Sequence, residues 1–168
     1  MMRPVFLILL MSLPLLITAC ARQFAVSVNN QTLYDPRPVL SNIQLVDPGM
    51  QSCLNLLLQQ GAADSGEIRV FSCAGLAITT VDGIANLQGL QFIDISNNQL
   101  PHLDELRRLA LLGINAENNR LNDISALLNI PTLVTANLRG NPDIPCQQLN
   151  RLRNKLGQNL QAPEQCER

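Results

Sequence analysis

Between residues 68 and 141 the apolar positions of this chain hold neither the two-residue alternation of a strand nor the spacing of an α-helix for long. They switch between alternation and a three-residue step in a fixed cycle. "LQFIDISNNQL" (90–100) aligns with "LLGINAENNRL" (111–121) and "LVTANLRGNPD" (133–143). The first two share the frame L-x-x-I-x-[I/A]-x-x-N-x-L, and the third keeps it as L-x-x-A-x-L-x-x-N until a proline ends it. Asn98, Asn119 and Asn141 fall 21 and 22 residues apart. "IRVFSCAGLAI" (68–78) is an earlier copy, with Phe71 and Cys73 in the strand and Leu76 in the asparagine slot, so the period runs through about four repeats.

Each position in the frame has a physical reason. Alternate side chains of a strand face opposite ways, which predicts Ile93 and Ile95 pointing into a core and Phe92, Asp94 and Ser96 pointing away from it. The chain must then bend, and the residue ahead of each repeat asparagine is Asn97, Asn118 or Gly140, types that accept a left-handed conformation. The asparagines carry both a donor and an acceptor and can satisfy backbone groups buried at the bend, forming a ladder of Asn98, Asn119 and Asn141. On the return the apolar step becomes three, in Ile78, Val81, Ile84, Leu87 and Leu90 and again in Leu100, Leu103, Leu106 and Leu109. That step suits an extended or 3₁₀ segment better than an α-helix. A coil so thin cannot bury its own face, so the coils must stack.

A short stack exposes its core at both ends unless something covers it. "DPGMQSCLNLLLQQG" reads as an N-terminal capping helix, with Asp47 as N-cap, Pro48 at the first helical position, Cys53, Leu54, Leu57 and Leu58 as its apolar face, and Gly61 as its stop. "CQQLNRLRNKLGQNLQAPEQC" puts Leu149, Leu152, Leu156 and Leu160 on one helical stripe, a second lid.

The repeat resembles the leucine-rich repeat, in the short class of about 22 residues found in bacterial internalins. "LNDISALLNIPTLVTANL" (121–138) matches best, through Leu121, Asp123, Ile124 and Leu127, and the resemblance covers residues 68–141. It departs from that pattern at Leu76, at Ala116 and Ala136, where larger aliphatics are usual, and in one repeat a residue short between Leu109 and Ile114. The fold implied is an α/β repeat, a leucine-rich repeat solenoid of about four repeats with parallel concave strands, an N-terminal capping helix and a C-terminal helical cap.

The N-terminus has a different character. "MMRPVFLILLMSLPLLITAC" has one positive charge at Arg3 and an apolar run from Val5 to Ile17 broken by Ser12 and Pro14, short for a membrane span and suited to a secretory signal. Ile17-Thr18-Ala19-Cys20 resembles the lipobox of bacterial lipoproteins. That resemblance implies removal of residues 1–19 as a signal peptide, a thioether-linked diacylglycerol on Cys20 and an amide-linked third chain such as palmitate; two or more chains make attachment stable. Ala21, where an aspartate favours inner-membrane retention in that class, implies the outer membrane of a Gram-negative bacterium, facing the periplasm. The expected organisation is then signal peptide 1–19, lipidated tether 20–46, capping helix 47–66, repeats 67–141 and C-terminal cap 142–168. Within the tether, "FAVSVN" is able to form a short strand.

Export lets cysteines form lasting disulfides. Lipidation takes Cys20 of the five cysteines, and the remaining four allow three pairings. Cys53 and Cys73 lie 20 residues apart, as do Cys146 and Cys166, with the repeats between, which predicts Cys53–Cys73 and Cys146–Cys166. A four-cysteine metal site lacks the short C-x-x-C spacing, so no metal is expected.

Composition narrows the function. Of 168 residues, 46% are hydrophobic, enough for the core of one domain. A net charge of −1, a single lysine and 3% aromatics without tryptophan leave nucleic acid little to bind. The one histidine, His102, falls on a return segment away from the strand face and reads as a solvated loop residue; no G-x-S-x-G, H-E-x-x-H or phosphate loop occurs. Asp94 and Glu117 approach each other on the strand face, where acid pairs serve recognition more often than catalysis. The expectation is therefore no enzyme, no cofactor, no small-molecule substrate and no nucleic acid. Instead the chain would bind a protein partner through Phe92, Asp94, Ser96, Asn115, Glu117, Thr135, Asn137 and Arg139, with Phe92 the apolar anchor and Arg139 the most specific polar contact, and would reach the membrane through its lipid anchor. The alternatives are a non-binding structural envelope lipoprotein and a surface adhesin.

Overall fold

A computed structural model describes residues 26–28, 31–34, 43–59 and 68–166. The expected signal peptide, the expected lipidation site Cys20, Ala21 and the expected helix stop Gly61 lie outside these residues. The chain divides into two compact units, Met1–Val39 and Leu40–Arg168. In the first, strands β1 (Val26–Val28) and β2 (Gln31–Tyr34) pair antiparallel, so the expected tether contains a hairpin.

The second unit is the solenoid. Strands β3 (Val70–Ser72), β4 (Phe92–Asp94), β5 (Gly113–Asn115) and β6 (Thr135–Asn137) pair parallel in chain order. Their register puts Phe71, Ile93, Ile114 and Ala136 on neighbouring rungs, all buried. One residue pair further on, Cys73, Ile95, Ala116 and Leu138 form a second buried row. The three-residue step of the returns is met by 3₁₀ turns at Ile84–Asn86 and Asp104–Arg108 and by a four-residue helix α2 (Ser125–Leu128) in the third return, and the leucines and isoleucines of that step are all buried. This is the leucine-rich repeat solenoid that the sequence pattern implies. At about 1.5–3 kcal/mol for each fully buried aliphatic side chain, the shared interior dominates its stability.

The bends carry the ladder. Asn97, Asn118 and Gly140 sit at φ 57°, 53° and 68°, and the asparagine after each turns its side chain back into the previous coil. Asn98 Oδ1 accepts the N–H groups of Leu76 and Ile78, both at 3.0 Å, and its amide donates to the carbonyls of Cys73, Ile95 and Ser96. Asn119 accepts from Leu100 and donates to Ile95, Ala116 and Glu117; Asn141 accepts from Leu121 and donates to Ala116, Leu138 and Arg139. Every rung thus satisfies backbone groups of the coil before it, groups that water cannot reach. Leu76 heads the stack and is 45% exposed.

The coil ahead of Leu76 is a helix, and a carboxylate makes the junction. α1 (Pro48–Gln59) buries Met50, Leu54 and Leu58, with Cys53 and Leu57 partly covered. Asp47 Oδ1 accepts the N–H groups of Gly49 and Met50, and Oδ2 accepts from the Thr79 N–H and hydroxyl. Burial pushes this carboxyl up, but the Thr79 and Met50 N–H groups, the Thr79 hydroxyl and the Gly49 N–H outweigh it and hold it below 3.8. The domain also begins earlier than residue 47: Leu45 is buried, its N–H donates to Gln51 Oε1 at 2.7 Å, and the Val46 N–H donates to the Asp82 carbonyl. Those residues belong to the lid rather than the tether.

The far lid differs in one respect from the expected single stripe. Helix α3 (Cys146–Leu156) buries Leu149, Leu152 and Leu156, but Leu160 is not on it. Gly157, at φ 57°, ends the helix, and Leu160–Gln161 forms strand β7, which pairs parallel with β6 and extends the sheet to five strands. Gln148 joins lid to repeats, accepting from the Ile124 N–H at 2.7 Å and donating to Asp123 Oδ1. The Ser125 N–H holds the Asp123 carboxyl low against partial burial, helped by the Ser125 hydroxyl, Gln148 and the charge of His102. Lys155 caps the end of α2, donating to the carbonyls of Leu127, Leu128 and Ile130, and burial pushes its ammonium pKa down. Both predicted disulfides are present: Cys53–Cys73 ties α1 to the first coil, and Cys146–Cys166 closes the last lid.

Candidate functional site

The strand residues that face away from the core form two cross-strand rows. In the first, Val70, Phe92, Gly113 and Thr135 are in register; in the second, Ser72, Asp94, Asn115 and Asn137 are, with Gln161 of β7 continuing it. The first row is apolar and open, with Val70 60% and Phe92 43% exposed. Its gap is Gly113. A Cβ there would lie 2.8 Å from Phe92 Cδ1 and 2.9 Å from the Thr135 methyl carbon, so the Phe92 ring leans across the glycine into space that any side chain would occupy. Around it lies a hollow of about 310 Å³ lined by Val70, Phe92, Asp94, Gly113, Asn115, Thr135 and Asn137, floored by Ile93 and Ile114.

The second row is polar and interlocked. Asp94 Oδ1 accepts the Ser96 N–H, Asn115 Oδ1 the Glu117 N–H, and Asn137 Oδ1 the Arg139 N–H, the same two-residue side-chain turn in successive coils. The amides also reach backward: Asn115 Nδ2 donates to Asp94 Oδ1 at 3.1 Å, and Asn137 Nδ2 to Glu117 Oε2 at 3.1 Å. Asp94, Asn115, Glu117 and Asn137 therefore brace the sheet face while they line it. At its rim Asn118 Nδ2 donates to Asn97 Oδ1, and the Asn118 amide lies over Gly140.

Not all the sequence-chosen contact residues come together. Phe92, Asp94, Asn115, Thr135 and Asn137 line the one hollow, with Glu117 bonded to its edge. Ser96 does not serve, because its side chain is buried, 5% exposed, as the chain begins its turn inward. Arg139 lies in a separate polar hollow of about 810 Å³ at the C-terminal end, with Gln158, Gln161 and Glu164. Val70 and Gly113, outward positions of the same strands, complete the site, and a glycine inside a strand is a signal of close approach. His102 pairs with Asp104 at 3.1 Å on the exposed return side and lines neither hollow. Among the described residues no group of three or more His, Cys, Asp or Glu residues could hold a metal.

Known proteins place the fold. No family model matches the chain. It is 37% identical over 95 residues to leucine-rich repeat and WD repeat-containing protein 1 of Mus musculus, a match that takes in 52% of this chain and 15% of that protein. An internalin C2 from Listeria monocytogenes superposes with a TM-score of 0.57 at 21% identity, covering 73% of this chain and 55% of that one. A second Listeria internalin does so at 0.51 and 24% identity, covering 56% of this chain and 30% of its own. The chain thus spans a small part of its murine relative and about half or less of these internalins. The similarity establishes the leucine-rich repeat fold and the homology of the repeats.

Proposed function

We propose that this chain is a lipid-anchored protein of the Gram-negative outer membrane, facing the periplasm, that binds another protein through the concave face of its repeats. The observation that carries the binding reading is the hollow over Gly113: an apolar row of Val70, Phe92 and Thr135, open to solvent, in a sheet face whose other row is polar and internally bonded. A solvent-exposed phenylalanine held over a glycine has the character of an interface anchor. The location reading is supported by the lipobox-like Ile17-Thr18-Ala19-Cys20 and by two disulfides, which persist in an oxidising compartment.

Five strands at about 4.8 Å spacing span roughly 19 Å, and a stable interface buries roughly 800 Å² per partner, so the concave face alone gives weak or transient binding. Crosslinking in intact cells with and without Phe92→Ala tests the face: the expected result is loss of a specific adduct with the thermal transition unchanged, and an unchanged adduct rejects it. Cys20→Ser tests the anchor by membrane fractionation and is expected to release the chain from the membrane. The internal bonding of the polar row favours one second reading, a rigid envelope spacer. A spacer would tolerate simultaneous substitution of Val70, Phe92 and Thr135 by serine without phenotype.

A further inference from the structure

We infer that the hollow over Gly113 receives an arginine side chain from an extended segment of the protein partner. This deepens, and rests on, the concave-face reading above. Two features converge there. The first is the shape of the hollow: its walls are Val70, the Phe92 ring and the Thr135 methyl group, a slot suited to an unbranched aliphatic stem lying beside an aromatic ring. The second is charge. Asp94 and Glu117 are partly buried, on adjacent coils and two positions offset, roughly 8 Å apart by strand spacing. Among the described residues neither has a cationic partner: Asp94 is bonded only through Oδ1, to the Ser96 N–H and the Asn115 amide, and Glu117 only through Oε2, to the Asn137 amide.

Neutral amides therefore fix both carboxylates without neutralising them, and among the described residues one oxygen of each accepts no bond, with Asp94 in the lining of the slot and Glu117 bonded to its edge through Asn137. Arg139 is the only cation on the neighbouring rung, and it lines the other hollow, not this one. A lone apolar group would fill the slot and leave two negative charges desolvated against it, which is unfavourable. A guanidinium suits both features. Its plane stacks on an aromatic ring, it is weakly hydrated, and its N–H groups point in several directions, so it can bond two separated single oxygens where an ammonium is a compact point charge.

The test is a titration of the folded domain with n-butylguanidinium, against n-butylurea as the neutral analogue of the same shape, following backbone amide resonances by NMR. The expected result is saturable shifts at Gly113, Asn115 and Thr135 with the cation, at least fivefold weaker binding of the urea, and weakening as salt is raised. Asp94→Asn with Glu117→Gln keeps the shape and hydrogen-bond acceptors and is expected to bring the cation down to the level of the urea. If that double variant does not fold, the salt dependence and the urea comparison on the wild-type chain decide alone. Equal binding of cation and urea, or shifts confined to other residues, overturns the inference. Crosslinking in cells separates the two readings. An adduct lost in Phe92→Ala but kept in the double variant leaves the concave face as a binding surface and rejects the arginine; an adduct kept in both rejects the face as well.

Discussion

At the scale of single residues, the side chains that matter most are polar and buried. Asn119 accepts one backbone N–H and shares its two amide hydrogens among three carbonyls, two of them in its own coil and one in the coil before. Replacing it with alanine strands buried groups on two rungs at once, and each unsatisfied group costs about 1–3 kcal/mol. Asn119→Ala is therefore expected to lose about 3 kcal/mol or more in urea denaturation, whereas Leu76→Asn, at the exposed head of the stack, changes stability little. Asp47 and Asp123 predict a pH dependence. Both carboxyls titrate in the folded chain below their ordinary value of 3.8. Their contribution is thus complete above that value and is lost as pH falls through the lower, folded values. Acid titration of the unfolding free energy is expected to show this loss, and Asp47→Asn to flatten part of it. Two glycines allow close approaches that a side chain would block. Gly140→Ala places a Cβ 2.0 Å from Asn118 Oδ1 at a positive φ and is expected to destabilise by about 2 kcal/mol. Gly113→Ala places a Cβ 2.8 Å from Phe92 Cδ1 and 2.9 Å from the Thr135 methyl carbon, so both side chains must shift, and the hollow is expected to close at a cost of about 1–3 kcal/mol.

At the scale of elements, each lid is held by a disulfide and by polar side chains that bridge to the nearest coil. Asp47 and the Cys53–Cys73 bond do this for α1; Gln148, Lys155 and the Cys146–Cys166 bond do it for α3. Closing a loop of 20 residues contributes roughly 3 kcal/mol in the chain-entropy model. The Cys53→Ser, Cys73→Ser double variant is expected to lose about that much, and hydrogen exchange should show α1 opening ahead of the repeats. The elements also show where sequence patterns stop being legible. The period-three returns identified the 3₁₀ turns of the first two coils, but the same kind of spacing closed into an α-helical turn at Ser125–Leu128. Leu160 keeps helical spacing from Leu156 across Gly157, and only the turn at that glycine moves it from the helix to the edge of the sheet.

At the scale of the whole molecule, stability is a sum over stacked rungs and the interfaces between them, so removing an end should act well beyond the residues removed. Truncation after Asn141 deletes α3 and β7 and uncovers the last rung; the expected outcome is a cooperative fall in the melting transition with aggregation. By contrast, Phe92→Ala removes an exposed ring and should leave that transition in place while abolishing partner capture. The sequence alone determined the period, the inward rows, the ladder positions, the left-handed bends and the two cysteine pairs. All of these are local demands that recur in every coil, and a repeating chain writes them down several times over. Tertiary structure decided what lies between coils: that Asn115 and Asn137 reach back to carboxylates on the previous rung, that Phe92 covers Gly113, that Ser96 turns inward, and that Arg139 faces a different hollow. Those contacts join residues about 20 positions apart through side-chain direction and curvature, quantities that a one-dimensional spacing does not contain.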